Sequence, residues 1–463
     1  MIRLMKNEIL KLVKKKSFYV VTFIFILFCI LTNIVYQSSF DSIQEEEVDV
    51  EEIELENKEL DLENNDDLLL YVENLTILKM EELKQEYSNS SADYLIDHFL
   101  YNTIYHMYEA TYILDDDELA QAYSLQLDEE VERVSRDDWE SFVLERISYL
   151  EERIEESEGT EQERYQALLD LAIYRRENKV NYDEDSYLNQ ALLFLEENTF
   201  EYVNLLHDDD LSKEEESRLS FLEEEMTIRK YILEHQEDIL NDTTLRAVLI
   251  NFPAEFGLFI LIYVIMIAGS IVSEEYTRGT IKYLLVKPFK RRTILTSKLL
   301  VVLLMIPVIM LFMSVVEILL GGIQLGFDSL SVPVLLYVDG TITIYSVLGY
   351  LASLLLSSLP MYLVIGILGF MISTITSSTS AAITISFLFY LLGNVISNLA
   401  LVYDLPIFKG FVSLYWDFSY LVSHTGQPYG ASIGQSILIV GIYLVIMLCI
   451  AYVTFVKKDV KNI

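Results

Sequence analysis

Six long apolar stretches constrain the fold of this chain more than any other feature. Each is close to the roughly 20 residues that an α-helix needs to cross the hydrocarbon core of a bilayer. They cover residues 18–36, 252–272, 299–320, 345–372, 381–402 and 437–456. Because a backbone in lipid must satisfy its own hydrogen bonds, helices are the expected form. The sequence therefore predicts an all-α polytopic membrane protein with six transmembrane helices.

Charge is distributed very unevenly along the chain. Residues 41–246, between the first and second spans, contain 61 Asp and Glu against 16 Lys and Arg, whereas the whole chain carries a net charge of −38. The remaining residues are mildly basic and very apolar, which indicates two environments for one chain. Basic residues lie beside the spans and not on a soluble face, which argues against binding to nucleic acid.

The positions of Lys and Arg predict the orientation in a bacterial plasma membrane. Six basic residues precede the first span and three lysines follow the last one, so both termini are expected in the cytosol. Residues 41–246 then form a large extracellular domain, and 247–463 form the rest of the membrane domain. The first span, 17–40, is longer than a signal-peptide core and lacks a small-x-small cleavage site, so we expect an uncleaved anchor.

The acidic block has two parts. Residues 41–67 are nearly all acidic, which is typical of disorder or of a solvated helix, and we expect disorder there. From Leu68 onward apolar residues recur at helical spacing, which predicts a bundle with exposed glutamate faces. The last helix is expected to run almost directly into the second span, with residues 242–244 as break and cap. EF-hand and zinc spacings are missing, so no metal site is predicted.

Residues 1–16 have the pattern of a basic amphipathic helix. Their apolar side chains share one stripe and the lysines lie off it, as in helices that rest in the membrane interface against anionic lipid. The simpler alternative is a basic anchor for the first span. The charged residues of interest in this helix are Lys6, Glu8 and Lys11.

The segment between the second and third spans, 273–298, reads SEEYTRGTIKYLLVKPFKRRTILTSK and is strongly basic. Gly279 permits a turn with positive φ or a close backbone approach, and Pro288 ends the short apolar run that precedes it. These features predict a short helix bent across the cytosolic face. The alternative is a solvated basic anchor without a specific role.

The order of residues in this segment resembles the first cytosolic loop of ABC transporter permeases of the type 2 exporter class. That order is an acidic pair, Arg-Gly-Thr, an apolar run, Lys-Pro, a basic cluster and the next span. In that family the loop docks on the ATPase subunit, and an N-terminal interfacial helix is also present. The resemblance implies a coupling role for Glu274, Glu275, Arg278, Gly279, Thr280, Lys287, Pro288, Arg291 and Arg292.

The resemblance implies that the chain is the membrane-spanning permease subunit of an exporter, and not an enzyme. It would move a substrate outward with ATP hydrolysed by a separate ABC ATPase subunit. The chain has no G-x-x-x-x-G-K-[ST] motif, so we expect it to bind no cofactor, with ATP and Mg held by the partner. A second permease copy or a paralogue, and the lipid bilayer, are the other expected partners. The substrate is open: an antimicrobial peptide, whose efflux would confer resistance, a small drug, lipid or sodium ion.

Polar residues inside the spans are candidates for a translocation path or a contact between protomers. Glu317 lies near the outer end of the third span, where it either contacts substrate or is simply solvated. Asn394 and Asn398 share one face of the fifth span and suit an interhelical hydrogen bond. Pro307 and Pro360 predict kinks.

Two further expectations concern the outer surface. The aromatic-rich segment 403–436 predicts short interfacial or re-entrant helices, with a plain aromatic belt as the alternative. A different function would also suit the acidic domain, namely a membrane-anchored receptor or sensor that binds a peptide. Six spans with polar residues in the fifth favour transport over sensing.

Overall fold

In the computed structural model of the chain, the described residues are 2–38, 50–60, 62, 64–87, 91–183, 185–208, 210–239, 243–281, 290–338, 340–403, 409–423 and 432–458. The chain divides into two compact units. The membrane unit contains Met1–Ser42, Asn241–Val338 and Thr343–Ile463. The acidic unit contains Ile43–Leu240 with Asp339–Ile342.

Six helices of the membrane unit are long and apolar enough to cross a bilayer, which confirms the all-α, six-span prediction. A short amphipathic helix α1 (Ile2–Val13) precedes them, and α12 (Leu245–Ile250) and α14 (Ser273–Thr277) flank the second span. The spans are α2 (Lys16–Ser38), α13 (Phe252–Ser270), α15 (Arg291–Leu325), α16 (Val347–Thr376), α17 (Thr379–Tyr403) and α19 (Ile433–Lys457). Pro307 and Pro360 lie inside α15 and α16, and their kinks remain a prediction.

The fourth span, α16, is the centre of the membrane unit. It packs against the second, third, fifth and sixth spans. Such close packing needs small residues at the helix contacts. Gly369 supplies one: a Cβ at this position would lie 3.1 Å from Ser386 Oγ and 3.3 Å from Ala268 Cβ, on two neighbouring spans. A larger side chain there would push the second and fifth spans away from α16.

A small β-hairpin interrupts the otherwise helical chain. Its strands are β1 (Val334–Val338) and β2 (Thr341–Tyr345), which pair with each other in a two-stranded sheet. The predicted spans leave residues 321–344 outside the membrane helices, and no strand was predicted there. The signal was present, because an Asp-Gly dipeptide between two β-branched runs is typical of a tight hairpin turn.

The acidic unit is a set of consecutive helices packed as neighbours. They are α3 (Val50–Glu59), α4 (Asn65–Glu86), α5 (Ala92–Leu95), α6 (Tyr101–Tyr112), α7 (Asp117–Ser135), α8 (Trp139–Glu156), α9 (Thr160–Glu177), α10 (Tyr187–Leu206) and α11 (Lys213–His235). One π-helical turn, Ile96–Leu100, joins α5 to α6. The apolar residues at helical spacing form a shared core, while most glutamates stay exposed. The helical spacing of the apolar residues therefore correctly predicted that this unit is a bundle of helices.

Two expectations for the acidic block are corrected. Disorder was expected over 41–67, but Val50–Glu59 form α3, while 41–49 lie outside the described residues. Helix α3 gains a tertiary partner in α4, where Asn74 donates hydrogen bonds to Glu56 and Asn57. The last helix of the block does not continue into the second span, although the cap expected at residues 242–244 is present. Helix α11 ends at His235, and the separate helix α12 begins after Thr244, whose hydroxyl caps its N-terminus.

A buried arginine organises the centre of the acidic unit. Arg175 is fully buried, donates to Asn189 Oδ1 at 2.7 Å and pairs with Glu196 at 3.4 Å. Its guanidinium also lies 3.9 Å from the centre of the Tyr182 ring. Arg146 approaches the same Glu196 carboxylate at 3.3 Å. The cluster thus ties α8, α9 and α10 together through one buried carboxylate.

We expect Arg175→Met to destabilise the acidic unit by about 3–5 kcal/mol, because it leaves a buried carboxylate with one partner fewer. Hydrogen–deuterium exchange of the purified full-length chain should then show faster exchange in α8, α9 and α10. The matched control is Arg176→Met, which changes the neighbouring exposed arginine and should cost less than about 0.5 kcal/mol. Equal exchange in the two variants would contradict the structural role of Arg175.

Candidate functional site: a buried ion-pair cluster at the basic end of the bundle

One end of the membrane unit collects most of its basic residues. There α1, residues 273–281, the start of α15 and the last residues of α19 come together, and we call this region the basic end. Lys458 closes it by donating to the carbonyls of Thr374 and Ile375 at 3.0 and 2.9 Å. These carbonyls end the fourth span, where a cation satisfies both the free acceptors and the helix dipole.

Lys298 is the central residue of the basic end. It lies in the second turn of α15 and is only 1% exposed. An ammonium has three N–H donors, and Lys298 Nζ has three acceptors. They are Glu8 Oε2 at 2.8 Å, the Ile271 carbonyl at 2.8 Å and Glu275 Oε1 at 3.4 Å. A single buried charge therefore joins α1, the end of the second span, α14 and the third span.

Glu275 is the second buried member of this cluster. Lys11 Nζ donates to its Oε1 at 2.7 Å, and the Thr280 hydroxyl donates to its Oε2. Burial alone would raise the pKa of this carboxyl, but Lys298, Lys11 and Thr280 outweigh burial and lower the pKa from 4.5 to about 2. Because the folded pKa is depressed, the stabilisation is complete above pH 4.5 and declines as the pH falls from 4.5 to 2.

The neighbouring glutamate, Glu274, forms a second and more exposed pair. Lys15 Nζ lies 2.7 Å from Glu274 Oε1 and 2.7 Å from Ser270 Oγ. Arg278 is 4.0 Å from the same carboxylate and 69% exposed, so this contact contributes little. The predicted acidic pair therefore has two roles: Glu275 is anchored inside the bundle, whereas Glu274 lies at the surface.

The backbone of the segment matches the predicted turn as far as it is described. Helix α14 covers Ser273–Thr277, and Gly279 follows with φ +68° in the left-handed region that favours glycine. Ser273 fixes the start of α14, because its N–H donates to Ser373 Oγ at 2.9 Å and its hydroxyl lies 2.7 Å from Thr379 Oγ1. The predicted residues Lys287 and Pro288 lie outside the described residues.

The two arginines at the start of α15 differ sharply in their surroundings. Arg291 donates to the carbonyls of Val456 and Lys458, at 3.2 and 2.9 Å, and so ties the third span to the end of the sixth. Arg292 is exposed, and within the described part of the chain it makes no side-chain hydrogen bond or ion pair. Arg291 is thus a structural residue, while Arg292 is available to a partner.

Helix α1 is amphipathic, but it rests partly on protein. Glu8 and Leu12 are buried against the bundle, and Lys11 bridges Glu8 and Glu275. Lys6 is exposed on another face. The sequence reasoning found the helix and its charged residues. It missed that Glu8, the only acid among many lysines, faces the third span.

The three polar residues predicted inside the spans do not form one site. Glu317 is fully buried beside Cys29 and Asn33, and no hydrogen bond of good geometry from the described residues reaches its carboxylate oxygens. The alternative that Glu317 is simply solvated is therefore wrong, because α15 extends past it to Leu325 and packs on the first span. Within the described residues, Asn394 and Asn398 make no hydrogen bond between spans.

Asn394 instead lines a cavity of about 350 Å³, whereas Asn398 is exposed. The other walls come from the second, fourth and fifth spans and from the segment after the fifth span, and they include Tyr362, Tyr390, Trp416 and Asp417. The indole of Trp416 is 2% exposed and stacks on Tyr390 at 6.3 Å.

The segment 403–436 forms a short 3₁₀ turn (Val412–Leu414) and α18 (Tyr420–Ser423) in its described parts. Tyr415, Trp416, Phe418 and Tyr420 are buried, which does not suit the alternative of a lipid-facing belt, whereas Tyr403 is exposed.

Two paired lysines of the basic end were missed from the sequence. Lys298 was counted among the loop cations but was not singled out, and neither was Lys15. The available signal was position: Lys298 is followed at once by the apolar run of the third span, where a charge needs a partner. The partner itself was not readable, because Glu8 is 290 residues away in the chain.

Comparison with known proteins identifies the family of this chain. A sequence model described as "ABC-2 family transporter protein" matches residues 2–460. The chain belongs to this family. The ABC-2 family assignment makes it a membrane component of an ABC transporter, a multi-pass protein of the plasma membrane that is not itself catalytic. It also implies an ABC ATPase partner.

One curated relative is similar over about half of this ABC-2 chain. The "Uncharacterized protein YhcI" of Bacillus subtilis (strain 168) is 29% identical over 254 residues, which are 54% of this chain and 80% of the relative. No solved structure matches the chain. The name of this relative states no activity and no substrate, so the family assignment rests on the sequence model alone.

We expect Lys298→Met to destabilise the membrane unit by about 3–5 kcal/mol, because it leaves the buried Glu8 and Glu275 without their shared cation. Thermal unfolding in detergent should show the loss, and hydrogen–deuterium exchange should rise in α1. Lys290→Met is the matched control, since this lysine is exposed at the start of the same helix and should cost less than about 0.5 kcal/mol.

A second variant distinguishes the ion pair from simple packing. Adding Glu8→Gln to Lys298→Met should cost less than the sum of the two single changes, because the double variant no longer buries an unpaired Glu8 charge. Strict additivity would contradict a direct Glu8–Lys298 pairing.

Proposed function

We propose that this chain is the permease subunit of an ATP-driven exporter, and that an ABC ATPase subunit docks on residues 273–298 together with α1. The observation that carries this proposal is the buried cluster of Lys298, Glu8 and Glu275. It connects the proposed docking segment to α1 and to the third span through charges that are expensive to separate. ATP and Mg would be held by the ATPase and not by this chain.

The connection supports transmission of force by rigid elements. If the ATPase subunits close on ATP, they would push α14 and α1 together, because Lys11 and Lys298 hold both elements on Glu275. The push would reach the third span directly, since Lys298 belongs to it. Rigid-body movement of packed elements is an established form of conformational change in proteins.

The exposed cations of the basic end supply the proposed contact surface. Arg278 and Arg292 are exposed and form no close ion pair with a described residue, so their guanidinium groups can contact a partner. Arginine is well suited to such contacts, because its planar fork pairs with carboxylates in two hydrogen bonds. The rule that Lys and Arg concentrate on the cytosolic side supports placing the basic end there, with residues 41–246 outside.

The composition of the acidic unit supports a cationic substrate. With 61 acidic against 16 basic residues over 41–246, this unit would concentrate cationic solutes near the outer surface. An antimicrobial peptide fits that chemistry, so resistance to such peptides by efflux is one role consistent with the charge. A small drug, lipid or sodium ion would use the same subunit. The receptor alternative is not favoured, since the family is one of transporters.

Exposed apolar surface supports assembly with a second permease copy or a paralogue. In an 18-residue stretch of the first, fifth and sixth spans, only 17% of the residues are buried within this chain, against 61% in the fourth span. Part of that surface faces lipid in any membrane protein. Asn398, exposed on the fifth span, is a candidate for a contact between protomers, and Asn394 for the translocation path.

We expect Arg278→Glu plus Arg292→Glu to abolish co-purification of the ATPase and to lower ATP hydrolysis by the complex at least about tenfold, because like charges would then meet at the interface. The measurement is ATP turnover and subunit ratio after purification of the chain with its cognate ATPase. Thermal unfolding of the variant should be unchanged, since both arginines lie outside the buried cluster.

The control is a second double reversal, Arg176→Glu plus Lys213→Glu, at two exposed residues of the acidic unit. It changes the net charge of the chain equally but should leave the complex intact. Full assembly of the Arg278/Arg292 variant with normal turnover would refute docking on this segment. Failure of the native chain to bind any ABC ATPase would refute the whole proposal.

We expect Glu317→Leu to leave the melting temperature unchanged or higher, because it replaces a buried carboxyl that lacks good hydrogen bonds. ATP hydrolysis by the assembled complex should nevertheless fall about tenfold, since a costly acid within a span is expected to serve function. Ser314→Ala, close by on the same helix and bonded only to Met310, is the control and should change neither quantity. A destabilised but fully active Glu317 variant would contradict a role in transport.

A further inference from the structure

A basic cavity lies where α1 joins the first span. Its volume is about 600 Å³, within the roughly 300–1,000 Å³ of small-molecule sites. Five cations and two carboxylates line it, together with two hydroxyl residues. The cations are Lys11, Lys14, Lys15, Lys16 and Arg278. The cavity therefore has a net positive lining at one end of the first and second spans.

The cations of this cavity are only partly neutralised by protein. Lys11 and Lys15 are paired with Glu275 and Glu274, as described above. Lys14 and Lys16 are exposed, and no described residue forms an ion pair with either side chain. These two lysines line the cavity together with Arg278, whose contact with the Glu274 carboxylate is 4.0 Å long. The site thus offers charge to an anion that the chain itself does not supply.

An apolar cleft opens beside this cavity and shares three lining residues with it: Lys15, Ser17 and Glu274. The cleft has a volume of about 160 Å³ and runs between α1, the first, second and fifth spans. Its remaining walls are mostly apolar, with Phe18, Met266, Ile267 and Ile383 among them. The anion site and the apolar cleft are therefore adjacent, and we call their three shared residues the neck.

We propose that the two cavities together bind one anionic phospholipid, with its phosphate headgroup among Lys14, Lys16 and Arg278 and an acyl chain in the cleft. Two features select this ligand. Basic pockets at the ends of spans suit anionic headgroups. The mostly apolar cleft adds little to the binding of a free phosphate, whereas it can hold part of an acyl chain in van der Waals contact. The inference does not depend on the proposed function.

A bound lipid would also act on the neighbouring segment. Lys15 and Glu274 belong to the neck between cavity and cleft, and Glu274 is a residue of α14. A headgroup in the cavity would hold the junction of α1 with the first span against α14. The site therefore couples the lipid composition of one leaflet to the position of the segment 273–281.

The test is native mass spectrometry of the purified full-length chain, without any ATPase, after exchange into detergent with phosphatidylglycerol or phosphatidylcholine. We expect one phosphatidylglycerol to be retained per chain and phosphatidylcholine to be lost. Lys14→Gln plus Lys16→Gln should weaken retention about 25-fold, because each cation near an anionic lipid contributes roughly a factor of five. Ser17→Trp, which fills the neck with all charges kept, should also abolish retention.

The control is Lys6→Gln plus Lys457→Gln, which removes the same charge from exposed positions away from the cavity and should retain the lipid. Equal loss in both lysine pairs would mean non-specific attraction to the membrane and would overturn the proposal. Displacement of the lipid by millimolar glycerol phosphate would overturn the role of the cleft and indicate a free phosphate site. If the chain alone retains no lipid and only an acidic ATPase segment protects Lys14 and Lys16 from chemical labelling, the cavity belongs to the protein partner.

Discussion

The packing of the membrane unit at its basic end depends on one buried ammonium group, which needs hydrogen-bond acceptors. Lys298 is removed from water within the third span, where an unpaired charge would cost several kcal/mol. Its three N–H donors are satisfied by one carboxylate from α1, one from α14 and one carbonyl from the end of the second span. Each of these elements must therefore be in place for the others to be stable. The hydrogen bonds of Lys298 thus hold these helices together as one rigid body.

The same contacts sort the charges of the basic end into two classes. Lys298, Glu275 and Glu8 are buried, and Lys11 supplies the second positive charge that balances the two carboxylates, so these groups define position and are poorly available to a partner. Arg278, Arg292, Lys14 and Lys16 are exposed and lack close carboxylate partners among the described residues, so they can attract anions. The buried charges resist movement within the segment, and the exposed cations can bind anionic groups of a partner or a lipid. A docking segment needs both properties, because a contact surface without a rigid support would absorb the force applied to it.

The spans and the helical acidic unit could be predicted because each follows from local composition. Lipid requires about 20 apolar residues per helix, and a soluble helix requires apolar residues at its 3.6-residue period. Gly279 was predicted at a turn for a similarly local reason, the steric freedom of glycine. The burial of Lys298 and Glu317 was not predictable in this way, because it depends on residues more than 280 positions away in the chain. Helix α3 was mispredicted for the same reason: its composition favours disorder, but its contacts with Asn74 on α4 were not visible in the sequence.

The proposed ATPase and lipid contacts share Arg278 and otherwise use neighbouring residues of the basic end. The guanidinium of Arg278 borders the basic cavity, whereas Arg292 lies in the first turn of the third span. The lipid site is reached through the junction of α1 with the first span, whereas a docking ATPase would approach from the aqueous side of α14. Glu274 borders the cavity, and Glu275 belongs to the buried cluster. Because these two residues are consecutive in α14, lipid binding at one would affect ATPase docking at the other. If both proposals hold, a bound anionic lipid would change how the segment 273–281 responds to a docked ATPase.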